Sequence, residues 1–196
     1  MFQIGTIVTR HMLTLVLVLA SVDVLHAQDA IMRQKLEFDG TGLFPVSGYK
    51  ADEYSVGPGF RVGYELRLHK HVAADAGWTA AWLDGTSCSR YGCDYPRYQN
   101  RLLDFGLRGV LPLQGGRVEL SLGIGGGYIW FDPASGDSYF SNTTLLQYSG
   151  KMAVAIDRNR HVRLDFSLRM WRDVGRPTQQ WLATSAGISY GFGRVQ

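Results

Sequence analysis

Eight stretches of this chain alternate apolar and polar side chains with a period of two, and no stretch holds a helical period. Successive residues of a β-strand point to opposite faces, so each such stretch reads as a strand with one greasy and one polar side. The clearest is Val162 to Arg172, where Val162, Leu164, Phe166, Leu168 and Met170 oppose Arg163, Asp165, Ser167, Arg169 and Trp171. From Phe60 to His69 the same division sets Phe60, Val62, Tyr64, Leu66 and Leu68 against Arg61, Gly63, Glu65, Arg67 and His69. Lys35 to Val46, Val72 to Leu83, Arg101 to Leu113, Arg117 to Phe131, Thr143 to Ile156 and Trp181 to Phe192 complete the set. The fold class is all-β, and 196 residues suffice for one domain.

The connections choose the architecture. Those after the second, fourth and sixth strands (Lys70 to His71, Gln114 to Gly116, Asp157 to His161) are tight turns. Those after the odd strands (Ser47 to Gly57, Asp84 to Asn100, Asp132 to Asn142, Asp173 to Gln180) are long and rich in Gly, Pro, Ser, Asp and Tyr. Short turns at one end and long loops at the other predict a closed eight-stranded antiparallel up-and-down transmembrane β-barrel, both termini on the short-turn, periplasmic side.

A soluble barrel also alternates, but its polar face is the outer one. Here the polar face mixes charges with small residues: Asp75, Gly77 and Thr79; Asp104, Gly106 and Arg108; Glu119, Ser121, Gly123 and Gly125. That mixture suits a cramped interior. The predicted lumen charges are Glu37, Asp39, Arg61, Glu65, Arg67, Asp75, Asp104, Arg108, Glu119, Lys151, Arg163, Asp165 and Arg169. Unpaired buried charges are costly, so these are expected to form a paired network that plugs the barrel. On the apolar face, aromatics are predicted at two membrane interfaces: Phe44, Phe60, Trp82, Phe105, Trp130 and Tyr148 toward the long loops, and Phe38, Tyr190 and Phe192 toward the short turns.

Residues 1–27 read as a signal peptide, with Arg10 and His11 before the apolar run Met12 to Ala20 and cleavage after Ala27; 28–196 would be the barrel. The run is too short for a spanning helix, and cysteines only at 88 and 93 give no lipid anchor. Losing Arg10 and Asp23 leaves the net charge at +3, spread without a basic block, so nucleic-acid binding has no support.

Taken as a pattern over nearly all of 28–196, the chain resembles the small outer-membrane barrels related to OmpA and OmpX. The resemblance implies the outer membrane of a Gram-negative-type bacterium, with outer-membrane lipid and lipopolysaccharide around the wall. It also implies insertion by the assembly machinery, which in that family reads the last strand. The matching strand has Leu182, Thr184, Ala186, Ile188, Tyr190 and Phe192 facing out and Ser185, Gly187, Ser189 and Gly191 facing in, but Gly193 to Gln196 follow the terminal aromatic.

Chemistry-bearing motifs are sparse. His69 and His71 flank one turn and His161 another, so convergence on a metal or a nucleophile is not expected. Eight-stranded enzymes that deacylate lipid A carry a His-x-Ser-Asn run, which this chain lacks. Gly123 to Gly127 has neither the following helix nor the Lys of a phosphate loop, and the sequon at Asn142 carries no weight in a bacterial chain. No catalytic residue, cofactor or metal is assigned. Cys88 and Cys93, separated by Ser-Arg-Tyr-Gly with a turn-forming Gly92, are expected to form a disulfide in an oxidising compartment. Contact groups cluster in the loops at Tyr49, Tyr54, Arg90, Tyr91, Tyr95, Arg97, Tyr98, Tyr139 and Phe140. The expected role is structural and surface-interacting, through the loops and a ligand the sequence does not name. A small passive channel is the alternative, and a lipid-modifying enzyme the third reading.

Overall fold

A computed structural model describes residues 32–48, 55–83, 98–133, 142–175 and 179–194. They form eight strands: β1 (Met32–Ser47), β2 (Gly57–His69), β3 (Val72–Leu83), β4 (Tyr98–Leu113), β5 (Val118–Pro133), β6 (Thr143–Ala155), β7 (Val162–Asp173) and β8 (Gln180–Arg194). Strands β3, β6 and β7 match the alternation to within a residue. Strands β1 and β4 begin three residues earlier than it indicates, at Met32 and Tyr98. β8 runs past Phe192 to Arg194, which pairs with Met32.

Every strand pairs antiparallel with its sequence neighbours, and β1 pairs with β8, so the sheet is a closed barrel without a free edge. Closure satisfies the backbone hydrogen bonds between strands, the condition for crossing a bilayer with β-structure. Following paired residues from Lys35 through Glu65, Asp75, Gly106, Gly125, Gln147, Trp171 and Trp181 returns to β1 at Pro45, ten residues along. With strands about 4.8 Å apart and a rise of about 3.3 Å per residue, that stagger tilts the strands by about 40° and sets the backbone on a cylinder of roughly 8 Å radius. Such a bore is filled by inward side chains.

The three short turns are built from local chemistry. Lys70 and His71 join β2 to β3. Between β4 and β5 a single 3-10 turn, Gln114–Gly116, passes through positive φ at all three residues, at 66° and 77° on the two glycines. Between β6 and β7 the Asp157 carboxylate accepts the backbone N–H groups of His161 (3.1 Å) and Val162 (2.8 Å), closing the turn.

The outer wall is apolar. Phe38, Phe105, Leu107, Ile124, Leu168 and Ile188 are each at least half exposed. On a water-soluble molecule this continuous apolar girdle would drive aggregation, and it marks a lipid-facing wall. The expected aromatic residues all lie on this face, but not all at its rims. Phe44, Phe60, Trp82 and Trp130 stand toward the loop ends of their strands, and Tyr190 and Phe192 toward the short turns. Phe38 is seventh of 16 in β1, Phe105 eighth of 16 in β4, and Tyr148 one residue from the midpoint of β6. These three correct the interface assignment. The earlier starts of β1 and β4 move Phe38 and Phe105 to mid-wall, a boundary that alternation cannot fix. His69 also departs from its expected inward position, because a register irregularity after Arg67 leaves it exposed at the rim.

Candidate functional site

The barrel interior is the most organised chemistry in the molecule. All 13 charges expected in the lumen are buried there. Lys35 joins them, 1% exposed and two residues before Glu37 on the same face of β1. The spacing carried this signal; the missed residue stood at the expected strand boundary. The interior thus sets seven cations (Lys35, Arg61, Arg67, Arg108, Lys151, Arg163, Arg169) against seven carboxylates (Glu37, Asp39, Glu65, Asp75, Asp104, Glu119, Asp165), with Asp173 buried nearer the loops.

Register and stagger decide which of these meet. Near the short turns, Lys35 Nζ bridges Glu65 (2.9 Å) and Glu119 (2.5 Å), Arg67 reaches Glu119 (2.8 Å) and Glu65 (3.3 Å), and Arg163 lies 3.1 Å from Glu119. One level up, Glu37 is the hub. It takes Arg61 at 3.0 Å and Lys151 at 2.5 Å, with Arg108 and Arg169 each 3.9 Å away. Arg61 continues to Asp104 (2.9 Å) and Asp75 (3.7 Å), Arg108 to Asp75 (2.8 Å), and Lys151 to Asp165 (2.8 Å). Asp39 pairs in register with Arg61 and lies over Gly187. Arg169, highest of the cations, donates to Ser167 Oγ at 2.7 Å.

Glycines make room for this network. A Cβ on Gly63 or Gly77 would fall on the Arg61 guanidinium, and one on Gly123 would meet Arg108 and Ser149. The small residues of the polar face are therefore the floor on which the long cations lie, a close approach only glycine permits.

Above the charges the interior turns apolar. Leu43, Leu83, Leu102, Ile129, Leu145, Trp171 and Trp181 form one buried cluster toward the loops, together with Ala81 and Ala183. Trp171 and Trp181, each 1% exposed, are the largest buried side chains. The sequence put Trp171 on the inward face, but an apolar cap over a charged layer was not legible, because the stagger brings its members together from seven different strands.

The remaining expected residues contribute no convergent centre. His69 and His71 stand as a tilted pair with ring centroids 6.3 Å apart, while His161 stacks on Tyr190 at 5.8 Å and approaches the Gly191 carbonyl through Nδ1 at 2.7 Å. Among the described residues no three His, Cys, Asp or Glu are grouped to hold a metal ion. Tyr98, expected in a loop, is the first residue of β4, because that strand starts three residues earlier than the alternation indicates. Cys88, Cys93, residues 1–27 and the other loop residues named above, from Tyr49 to Phe140, lie outside the described residues.

The alternation, closure, stagger and outward girdle can be compared with known proteins. The Neisserial surface protein A crystal structure superposes at a TM-score of 0.59 with 15% identity, covering 81% of this chain and 97% of that one. The outer membrane protein OprG of Pseudomonas aeruginosa gives 0.62 at 8% identity, covering 83% and 97%. Ail, the attachment invasion locus protein of Yersinia pestis, gives 0.51 at 15%, covering 81% and 96%. This chain has the fold of the small outer-membrane β-barrels. With that fold and an apolar outer wall, its place is the outer membrane, as the resemblance to OmpA-type and OmpX-type barrels implied. No protein-family profile and no curated protein matches the sequence.

Proposed function

We propose that this outer-membrane barrel is a structural and surface-interaction protein. It acts through its long extracellular loops, and its lumen is closed to solutes. One observation carries the reading: the described interior is occupied along its length, by seven cations and seven carboxylates joined largely through salt bridges below and by the tryptophan-centred cap above. At a backbone radius of roughly 8 Å, bridged side chains fill the cross-section a hydrated ion needs. Chemistry left for the protein then lies outside the bore. The loops carry the Tyr and Arg groups typical of recognition surfaces. A barrel of this fold can support such a role: the Ail structure has been determined in complex with the heparin analogue sucrose octasulfate. Residues 1–27 serve as the export signal in this reading, and Cys88 and Cys93 tie the longest loop.

Planar-bilayer recording of the purified barrel tests the proposal. The expected result is no steady conductance. A reproducible, voltage-stable unitary conductance would transfer the assignment to a small passive channel. Lipid A mass spectrometry on cells with and without the protein tests the enzymatic alternative, and an unchanged acylation pattern is expected.

A further inference from the structure

The short-turn rim carries a charge pattern that neither the lumen nor the loops explain. Lys70 lies in the first turn, Arg117 at the end of the second, Arg158 and Arg160 in the third, and Arg33 at the start of β1. Arg33, Lys70, Arg117 and Arg158 are exposed. Arg160 donates to the Gly115 carbonyl and so ties the third turn against the second. Among the described residues of this rim the one carboxylate outside the lumen is Asp157, whose two oxygens are engaged by amides of its own turn. The lumen layer just inside does not cancel the field. It holds Lys35, Arg67 and Arg163 against Glu65 and Glu119.

Two geometric facts say what such a ring meets. The three turns and Arg33 are distributed around the eight-strand circumference at about quarter-turn intervals, so the cations converge on no single groove. Only a partner that surrounds the barrel touches them together. Immediately above them on the outer wall stand Tyr190, half exposed and stacked with His161, and Phe192. Aromatic residues of this kind settle at the level of lipid headgroups. The ring is therefore held at the boundary of one leaflet, where clustered Lys and Arg attract anionic lipid. We propose that the short-turn rim is a docking surface for anionic phospholipid headgroups of the periplasmic leaflet, which it concentrates around the barrel.

The full chain, refolded into phosphatidylcholine vesicles, is probed with trace spin-labelled phosphatidylglycerol or phosphatidylcholine, and the motionally restricted fraction of each is measured. The wild-type barrel should hold phosphatidylglycerol about threefold more strongly at low salt, and the preference should collapse at 1 M salt, where the screening length is about 3 Å. The variant Lys70→Gln/Arg117→Gln/Arg158→Gln should bring the ratio close to one. These side chains are exposed, and heat-modifiable electrophoretic migration establishes that the variant has folded. A wild-type ratio of one, or a variant that keeps the wild-type preference, overturns the proposal. So does stoichiometric binding of inorganic polyphosphate to the barrel in pure phosphatidylcholine without any lipid preference, which would assign the ring to a soluble polyanion.

Discussion

Replacing Arg61 by Met keeps an unbranched apolar stem but removes the guanidinium that joins Glu37 to Asp104. Its bonds to the two carboxylates are 3.0 and 2.9 Å long, between groups at most 1% exposed. Glu37 retains Lys151, so its loss is partial. Asp104 loses its Oδ1 partner and has no protein hydrogen bond at Oδ2, so it is left as a buried orphan. Charge-assisted hydrogen bonds contribute about 1.5–3 kcal/mol each, and breaking a buried pair from one side costs about 3–5 kcal/mol. We expect Arg61→Met to lower the unfolding free energy by about 3–5 kcal/mol. Adding Asp104→Asn removes the orphaned charge, so the double variant should be more stable than the two single losses imply, by about 2 kcal/mol. Reversible urea titration in phospholipid vesicles, followed by tryptophan fluorescence and by the unboiled electrophoretic band, gives both quantities. A single-variant loss below about 1 kcal/mol, or additivity within about 0.5 kcal/mol, would refute the view that these charges depend on one another.

Gly77→Ala should force the Arg61 guanidinium aside, at a cost of about 1–3 kcal/mol in the same titration, and should be nearly neutral once Arg61 is Met. Trp171→Ala should cost about 3–5 kcal/mol by opening the cap, yet leave bilayer recordings silent, because the charged layer beneath still fills the bore. Slight burial opposes ionisation of Asp157, but the backbone N–H groups of Val162 and His161 outweigh it and hold the carboxyl below its ordinary value. A depressed folded value means that this contribution to stability is present above the ordinary pKa near ~3.9 and is lost as pH falls through the folded one. A carboxyl-carbon NMR titration should place the Asp157 midpoint below that value, and an unshifted midpoint contradicts the turn geometry. For Cys88 and Cys93, intact mass should rise by two hydrogen atoms on treatment with a thiol reductant, and an unchanged mass removes the bridge.

Most of the fold was legible because one physical rule, the two-residue period, acts on every strand. Val162 to Met170 announced both faces of β7, and the lengths of the connections announced the up-and-down order. What the sequence withheld are quantities that exist only after closure. The ten-residue stagger decides that Lys35 meets Glu119 rather than a charge on its own strand, and that Trp171 and Trp181 come together as a cap. Strand starts are blurred because Met32 to Gln34 and Tyr98 to Asn100 do not alternate cleanly. The alternation therefore leaves Lys35 out of the network and sets Phe38 and Phe105 too near a membrane boundary. His69 kept the correct parity, but an irregularity at the strand end cancelled it.

Spin-label accessibility along β5 tests the central claim, an apolar face toward lipid and a filled interior. Single cysteines replace Leu120, Leu122 and Ile124 on the outer face and Ser121 on the inner face, in a Cys88→Ser/Cys93→Ser background. In bilayers the three outer labels should collide with oxygen but not with a water-soluble nickel complex, and the label at Ser121 should be reached by neither. Nickel access at the outer positions would make this a water-facing barrel, and nickel access at Ser121 would mean the lumen is open.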